Sequence, residues 1–165
     1  MKRMISKAVL LSMVVAVLVG AHPASAQLSI TDLGTLPGGD SFDSSTASGI
    51  NDRGQIVGQS DTPSFELHAF LWEDGKMSDL GTLPSGGFSE AEAINNLGQV
   101  VGQGDVASGA GHHAFLWEKG KMTDLGTLPG SSLSNALDIN DRGQVVGSST
   151  LASDSAPEHA VLWTK

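Results

Sequence analysis

The chain has 165 residues, 18 of them acidic against nine basic, and a formal charge of −9. With no cysteine, it carries no disulfide framework, no thiolate metal site and no lipoprotein anchor. An acidic surface repels phosphate backbones and anionic headgroups, which argues against nucleic acid and membrane as partners.

The N-terminus reads MKRMISKAVLLSMVVAVLVGAHPASA. Lys2, Arg3 and Lys7 form a basic start, and an apolar stretch runs from Ala8 to Ala21. Ala24-Ser25-Ala26 is a small-residue cleavage motif. The pattern predicts a secretory signal peptide over residues 1–26, cut before Gln27. The apolar stretch is shorter than the roughly 18 residues of a membrane span. Removing it leaves six basic residues against 18 acidic and a formal charge of −12 over residues 27–165. That length suits one domain in an extracellular or periplasmic setting.

Internal repetition dominates the remainder. Asp-Leu-Gly-Thr-Leu-Pro starts at Asp32, Asp79 and Asp124; Ile-Asn-x-x-Gly-Gln-[Ile/Val]-Val-Gly starts at Ile50, Ile94 and Ile139. His-Ala-Phe-Leu-Trp occupies His68–Trp72 and His113–Trp117, and returns as His159-Ala160-Val161-Leu162-Trp163. A period near 45 residues marks a repeat architecture. Each repeat reads as four short strands. The first ends in Ile-Asn, and an Asn/Asp turn closed by a positive-φ glycine follows. Gln-[Ile/Val]-Val-Gly is the second strand and His-Ala-Phe-Leu-Trp the third. Three-residue loops, Glu73-Asp74-Gly75 and Glu118-Lys119-Gly120, lead to a fourth strand, Lys76–Leu83 and its counterpart from Lys121. Pro84 and Pro129 end that strand. No window outside the leader has a helical period, so the reading is all-β.

Four strands in about 40–45 residues is the arithmetic of a β-propeller blade. The units run over about 46–83, 90–128 and 135–163, and the last is completed by residues 28–36, a spare fourth-strand segment. Ring closure of that kind removes aggregation-prone edges. Three is below the usual blade number, so three other arrangements stay open: an open arc, half of a six-bladed homodimer, and a threefold β-trefoil or β-prism. Exposed blade faces in an arc predict a homodimer.

These three motifs, in fixed order from Ile30 to Trp163, resemble the HAF-repeat proteins, a family of bacterial extracellular repeat proteins. Val161 departs from Phe70 and Phe115, and the residues after each proline vary. The resemblance implies secretion and a variable number of units. It brings no catalytic residue, metal ligand or cofactor site to carry over.

Alternation along a strand puts His68, Phe70 and Trp72 on one face. A buried histidine needs a polar partner, and the repeated Asp79 and Thr82 supply candidates, as in the hydrogen-bond network of WD-type blades. The sharper alternative is a three-histidine zinc site from His68, His113 and His159; placement on a third strand, away from an axis, argues against it. Asp40 and Asp43 in Gly38–Ser44 suggest calcium but lack a full ligand spacing. No catalytic signature is present. Function is therefore expected in the loops between second and third strands, Gln59–Leu67, Gln103–His112 and Ser148–Glu158. The expectation is a secreted, non-catalytic interaction or structural module without cofactor, whose partner is an extracellular protein or glycan. A small lectin-like domain is the alternative and an extracellular enzyme a more distant one; Phe65, the only aromatic ring in those loops, weakens the lectin reading.

Overall fold

The computed structural model describes residues 28–38, 43–107, 111–151 and 157–164. The signal-peptide expectation and Asp40 lie outside them. The chain forms two compact units, Met1–Thr31 and Asp32–Lys165. The described part of the first, residues 28–31, has no regular secondary structure and is exposed. The second is all-β and built from three antiparallel sheets.

The first sheet contains β1 (Ser45–Ile50), β2 (Ile56–Asp61), β3 (Leu67–Glu73) and β4 (Lys76–Asp79), in that order. The second repeats it with β5 (Ser89–Ile94), β6 (Val100–Asp105), β7 (His112–Glu118) and β8 (Lys121–Gly126). The third has three strands, β9 (Ser134–Ile139), β10 (Val145–Thr150) and β11 (Glu158–Trp163), with β10 central. The 45-residue period thus corresponds to one sheet per unit.

Local chemistry explains the recurring shape. The first turn of each unit is closed by Gly54, Gly98 or Gly143 at φ of 74, 77 and 74°. Asn51 Oδ1 accepts the Gln55 N–H at 3.1 Å, and Asn95 and Asn140 do the same for Gln99 and Gln144. The next hairpin is tighter than the sequence reading has it. Glu73 pairs with Lys76 and Glu118 with Lys121, so the loops have two residues. Asp74 and Gly75 take φ of 52 and 79°, Lys119 and Gly120 of 53 and 80°. Two consecutive positive φ angles give a type I′ turn, whose twist matches the flanking strands.

The first strand of each unit bulges, at Ser48, Glu92 and Leu137. The facing second-strand residue is Gly58, Gly102 or Gly147, where an added Cβ would lie 1.9 Å from a carbonyl oxygen of the bulging strand. The repeated Val-Gly pair is therefore a packing requirement.

The expected fourth strand also ends early. Asp79 Oδ1 accepts the Gly81 N–H at 2.7 Å, and Asp124 Oδ1 accepts that of Gly126 at 2.7 Å. In the first sheet this turn follows the end of β4 at Asp79, and in the second it forms the register shift before Gly126, the last residue of β8, which pairs with Ala114; both strands stop short of Pro84 and Pro129. Strands β2, β6 and β10 run on to Asp61, Asp105 and Thr150, so the intervals before β3, β7 and β11 are 62–66, 106–111 and 151–157, shorter than the sequence reading gave, with 108–110 and 152–156 outside the described residues.

The sheets stack in chain order. Strand β5 packs on β1, β2 and β3, and β9 packs on β5, β6 and β7. Side chains alternate between the two interfaces. Val57, Ala69, Leu80, Leu83, Ala91, Ile94, Val100 and Phe115 form one core cluster. Val101, Ala114, Leu116, Ala136, Ile139 and Val145 form the next. Full burial of a side chain such as Val101 or Phe115 contributes about 1.5–3 kcal/mol.

Residues 28–35 carry no strand, and the third sheet has three strands. The Asp-Leu-Gly-Thr-Leu-Pro motif instead leads into the unit that follows it. Leu36 N–H donates to Ser60 Oγ at 3.0 Å, and Ser45 Oγ donates to the Gly34 carbonyl at 2.7 Å. Leu33 and Leu36 pack with Phe70 and Met77. Leu80 and Leu83 hold the second unit in the same manner.

Candidate functional site

The repeated histidines sit where β3 and β7 enter their sheets. His68 Nδ1 lies 2.9 Å from Asp79 Oδ2, and His113 Nδ1 lies 2.8 Å from Asp124 Oδ2. Both histidine side chains are mostly buried, at 14% and 20% exposure, while the aspartates reach solvent. Each aspartate also anchors the turn that ends the fourth strand, so the histidine fixes the exit of its unit. Thr82, expected in this network, instead donates to the Gly86 carbonyl at 3.0 Å. His159 has no acid partner among the described residues, because no fourth strand lies beside β11.

The histidines therefore do not converge. Among the described residues no group of three His, Asp or Glu side chains is placed to hold a metal. In the loop considered for calcium, Ser44 donates its N–H and its hydroxyl to Asp61 Oδ2, both at 2.8 Å. Those two bonds hold the Asp61 carboxyl below the ordinary aspartate range.

Of two sets of repeated polar residues that join the units, one escaped the sequence reading and the other was read only as turn formers. The first is Ser89 and Ser134. Ala69 N–H donates to Ser89 Oγ at 2.8 Å, and that hydroxyl donates to the Gly81 carbonyl at 2.6 Å. Ser134 joins Ala114 and Gly126 in the same way, at 2.9 and 2.8 Å. Each serine ties the third strand of one unit to the first strand of the next. Recurrence at Ser45, Ser89 and Ser134 is the signal that could have found them. The second set is the turn asparagines. Asn51 Nδ2 donates to the Asn95 carbonyl and Asn95 Nδ2 to the Asn140 carbonyl, both at 3.0 Å. These turns line an open concavity of about 340 Å³ with Ile50, Asp52, Ile94, Asn96, Ile139 and Asp141.

Residues that differ between units collect at the opposite, loop end. A polar pocket of about 160 Å³ between the second and third sheets is lined by Gln103, His112, Ser134, Asn135, Ser148 and Glu158 among others. His112 Nδ1 lies 2.8 Å from Asp105 Oδ1, and its ring meets Phe88 edge-on at 5.6 Å. Asn135 Oδ1 is buried without a hydrogen-bond partner. The nearby bulge residue Glu92 has its carboxyl pushed up, first by burial and then by the Glu90 charge, with an opposing hydrogen bond from Asn135. An amide, hydroxyl and carboxylate lining of this size can bind one small polar group by hydrogen bonds. Gln103, His112, Ser148 and Glu158 all belong to the stretches where function was expected, although β6 and β10 take in Gln103 and Ser148 and β7 and β11 begin at His112 and Glu158.

No protein-family model, curated protein or solved structure matches the chain. Among the described residues no helix is long and apolar enough to cross a membrane, which says nothing of β-barrels.

Proposed function

We propose that this is a secreted, non-catalytic interaction module of the HAF-repeat type, whose units are propeller-like blades. One observation carries the reading. The polar residues common to the units mostly hold units together, whereas the loop-end pocket adds to the repeated Ser134 polar residues that differ between units, His112, Asn135, Ser148 and Glu158. A rigid scaffold with variable loops is the usual arrangement for binding. Confinement of each unit to one sheet favours blades over a trefoil, and face-to-face stacking of the sheets in chain order favours them over a prism. The surface charge disfavours nucleic acid and membrane insertion, and an extracellular protein or glycan is the proposed partner.

A glycan is the second reading, favoured by the polar lining of the pocket and by Phe65, which stands 84% exposed in the 62–66 loop. The test is a glycan array beside a panel of chromogenic glycoside, ester and peptide substrates. Binding that is lost in Gln103→Ala or Asn135→Ala, with an unchanged melting temperature, supports a binding module. Turnover of any substrate that His112→Ala abolishes contradicts it.

A further inference from the structure

The stack has two unsatisfied ends, and the internal interfaces show what each end lacks. Ile94 and Ile139 are 8% and 5% exposed under the preceding sheet, but their counterpart Ile50 is 69% exposed. On the other side Val57 and Val101 are fully buried under the following sheet, while Val146 is 46% exposed. The hydroxyls of Ser89 and Ser134 receive N–H bonds from Ala69 and Ala114. By the same correspondence, Ser45 is the acceptor that matches Ala160, the third-strand alanine of the last unit.

The missing fourth strand has an equally specific counterpart. Met77 and Met122 stand two residues before Asp79 and Asp124 and pair with Trp72 and Trp117. Met122 packs against the core cluster with Leu71 and Trp117. Beside β11 that place is open, a cleft of about 550 Å³ lined by Leu116, Leu125, Val145 and Trp163. Ile30 stands two residues before Asp32 and is 100% exposed. Asp32 has no histidine among the described residues, and His159 has no aspartate.

We propose that these ends meet between two copies of the chain. Residues 29–32 of one copy add to β11 of the other as its fourth strand, Ile30 enters the cleft, and Asp32 pairs with His159. The first sheet of the donor then stacks on the third sheet of the acceptor, as β5 and β9 stack within one chain. A second copy is favoured over the same chain because the first and third sheets pack on opposite sides of the second, with no substantial strand packing between them. Two copies supply six sheets, within the roughly four to eight of closed propellers. The pairing is also a strand addition at a free sheet edge, a recurring mode of association. The inference rests on the correspondence between units and not on what the loops bind.

Register defines the test. Leu71 faces Ser78 and Leu116 faces Thr123, so Leu162 faces Thr31. The chain has no cysteine of its own. A mixture of Thr31→Cys and Leu162→Cys proteins, oxidised and run without reductant, is expected to give a covalent species of twice the chain mass. Adding Ile30→Asp to the first protein is expected to abolish it, and Gln103→Ala in the loop pocket to leave it intact. Absence of the cross-link in mixed, folded proteins overturns the proposal. So does an internal disulfide in the Thr31→Cys/Leu162→Cys double variant that leaves it at single-chain mass. Should either cysteine variant fail to fold, the solution mass of the unsubstituted protein decides: a single-chain mass at micromolar concentration overturns the proposal.

Discussion

His113 pairs with Asp124, and Asp124 accepts the Gly126 N–H, so the two side chains brace the register shift at the end of β8, where the chain leaves toward the third unit. Because Asp124 is 41% exposed, solvent screens the pair. Loss of the imidazole in His113→Ala is expected to cost about 1 kcal/mol in urea unfolding. Asp124→Ala removes the turn anchor as well and is expected to cost about 2 kcal/mol. Equal costs would mean that the histidine, not the aspartate, carries the turn. Glu92 gives a second test. Its folded carboxyl titrates above the ordinary glutamate range, so it favours the fold when protonated and opposes it when charged. That contribution is present below the unfolded pKa and is lost as pH rises through the folded one. Glu92→Gln is expected to raise the urea midpoint at neutral pH and to leave it unchanged in mild acid. A midpoint that falls at neutral pH would contradict the assignment. Asp61 has the opposite sign: its carboxyl is depressed by the Ser44 bonds, and its contribution is lost as pH falls through the folded pKa. Ser44→Ala removes the hydroxyl bond and keeps the larger backbone N–H one, so the Asp61 titration, followed by NMR, is expected to return only part of the way toward the ordinary aspartate range.

At the level of the element, the second-strand glycine is the least replaceable part of the unit. Gly102→Ala would bring a methyl group within 1.9 Å of the Glu90 carbonyl oxygen, so β5 and β6 would have to separate at the bulge. A loss of about 2–4 kcal/mol is expected, measured by thermal or urea unfolding. Gly143→Ala, whose added methyl has only the Gln99 amide tip nearby, at 3.8 Å, is expected to cost about 1 kcal/mol through its positive φ alone. The strands and their pairing order were legible because period-2 patterning, β-branched pairs and turn residues act locally. The His–Asp pair was legible too, since both members recur at fixed positions. Strand ends were not: an Asp-centred turn at Asp79 stops β4 five residues before the proline that drew attention. Nor was Ser89, since a serine in a strand reads as surface until the neighbouring sheet supplies Ala69 and Gly81. The loop-end pocket was half visible: the 103–112 and 148–158 stretches pointed to it, but Asn135 comes from β9 of the adjoining sheet.

For the molecule as a whole, export of the acidic chain and pairing of the two ends of its stack of sheets are separate proposals. Export has its own check. N-terminal sequencing of the protein recovered outside the cytoplasm is expected to begin at Gln27, and an intact Met1 would contradict the leader reading. Residues that hold each sheet to the next recur in every unit, and the proposal is that the exposed Ile50 and Val146 are covered by a second copy. The most direct measurement of that claim is the solution mass of the protein by light scattering across the micromolar range. The account predicts twice the chain mass of 16.9 kDa, or of its leader-free form, with a single-chain mass in Ile50→Asp. A single-chain mass in the unsubstituted protein, or a dimer that Ile50→Asp leaves undisturbed, would contradict it.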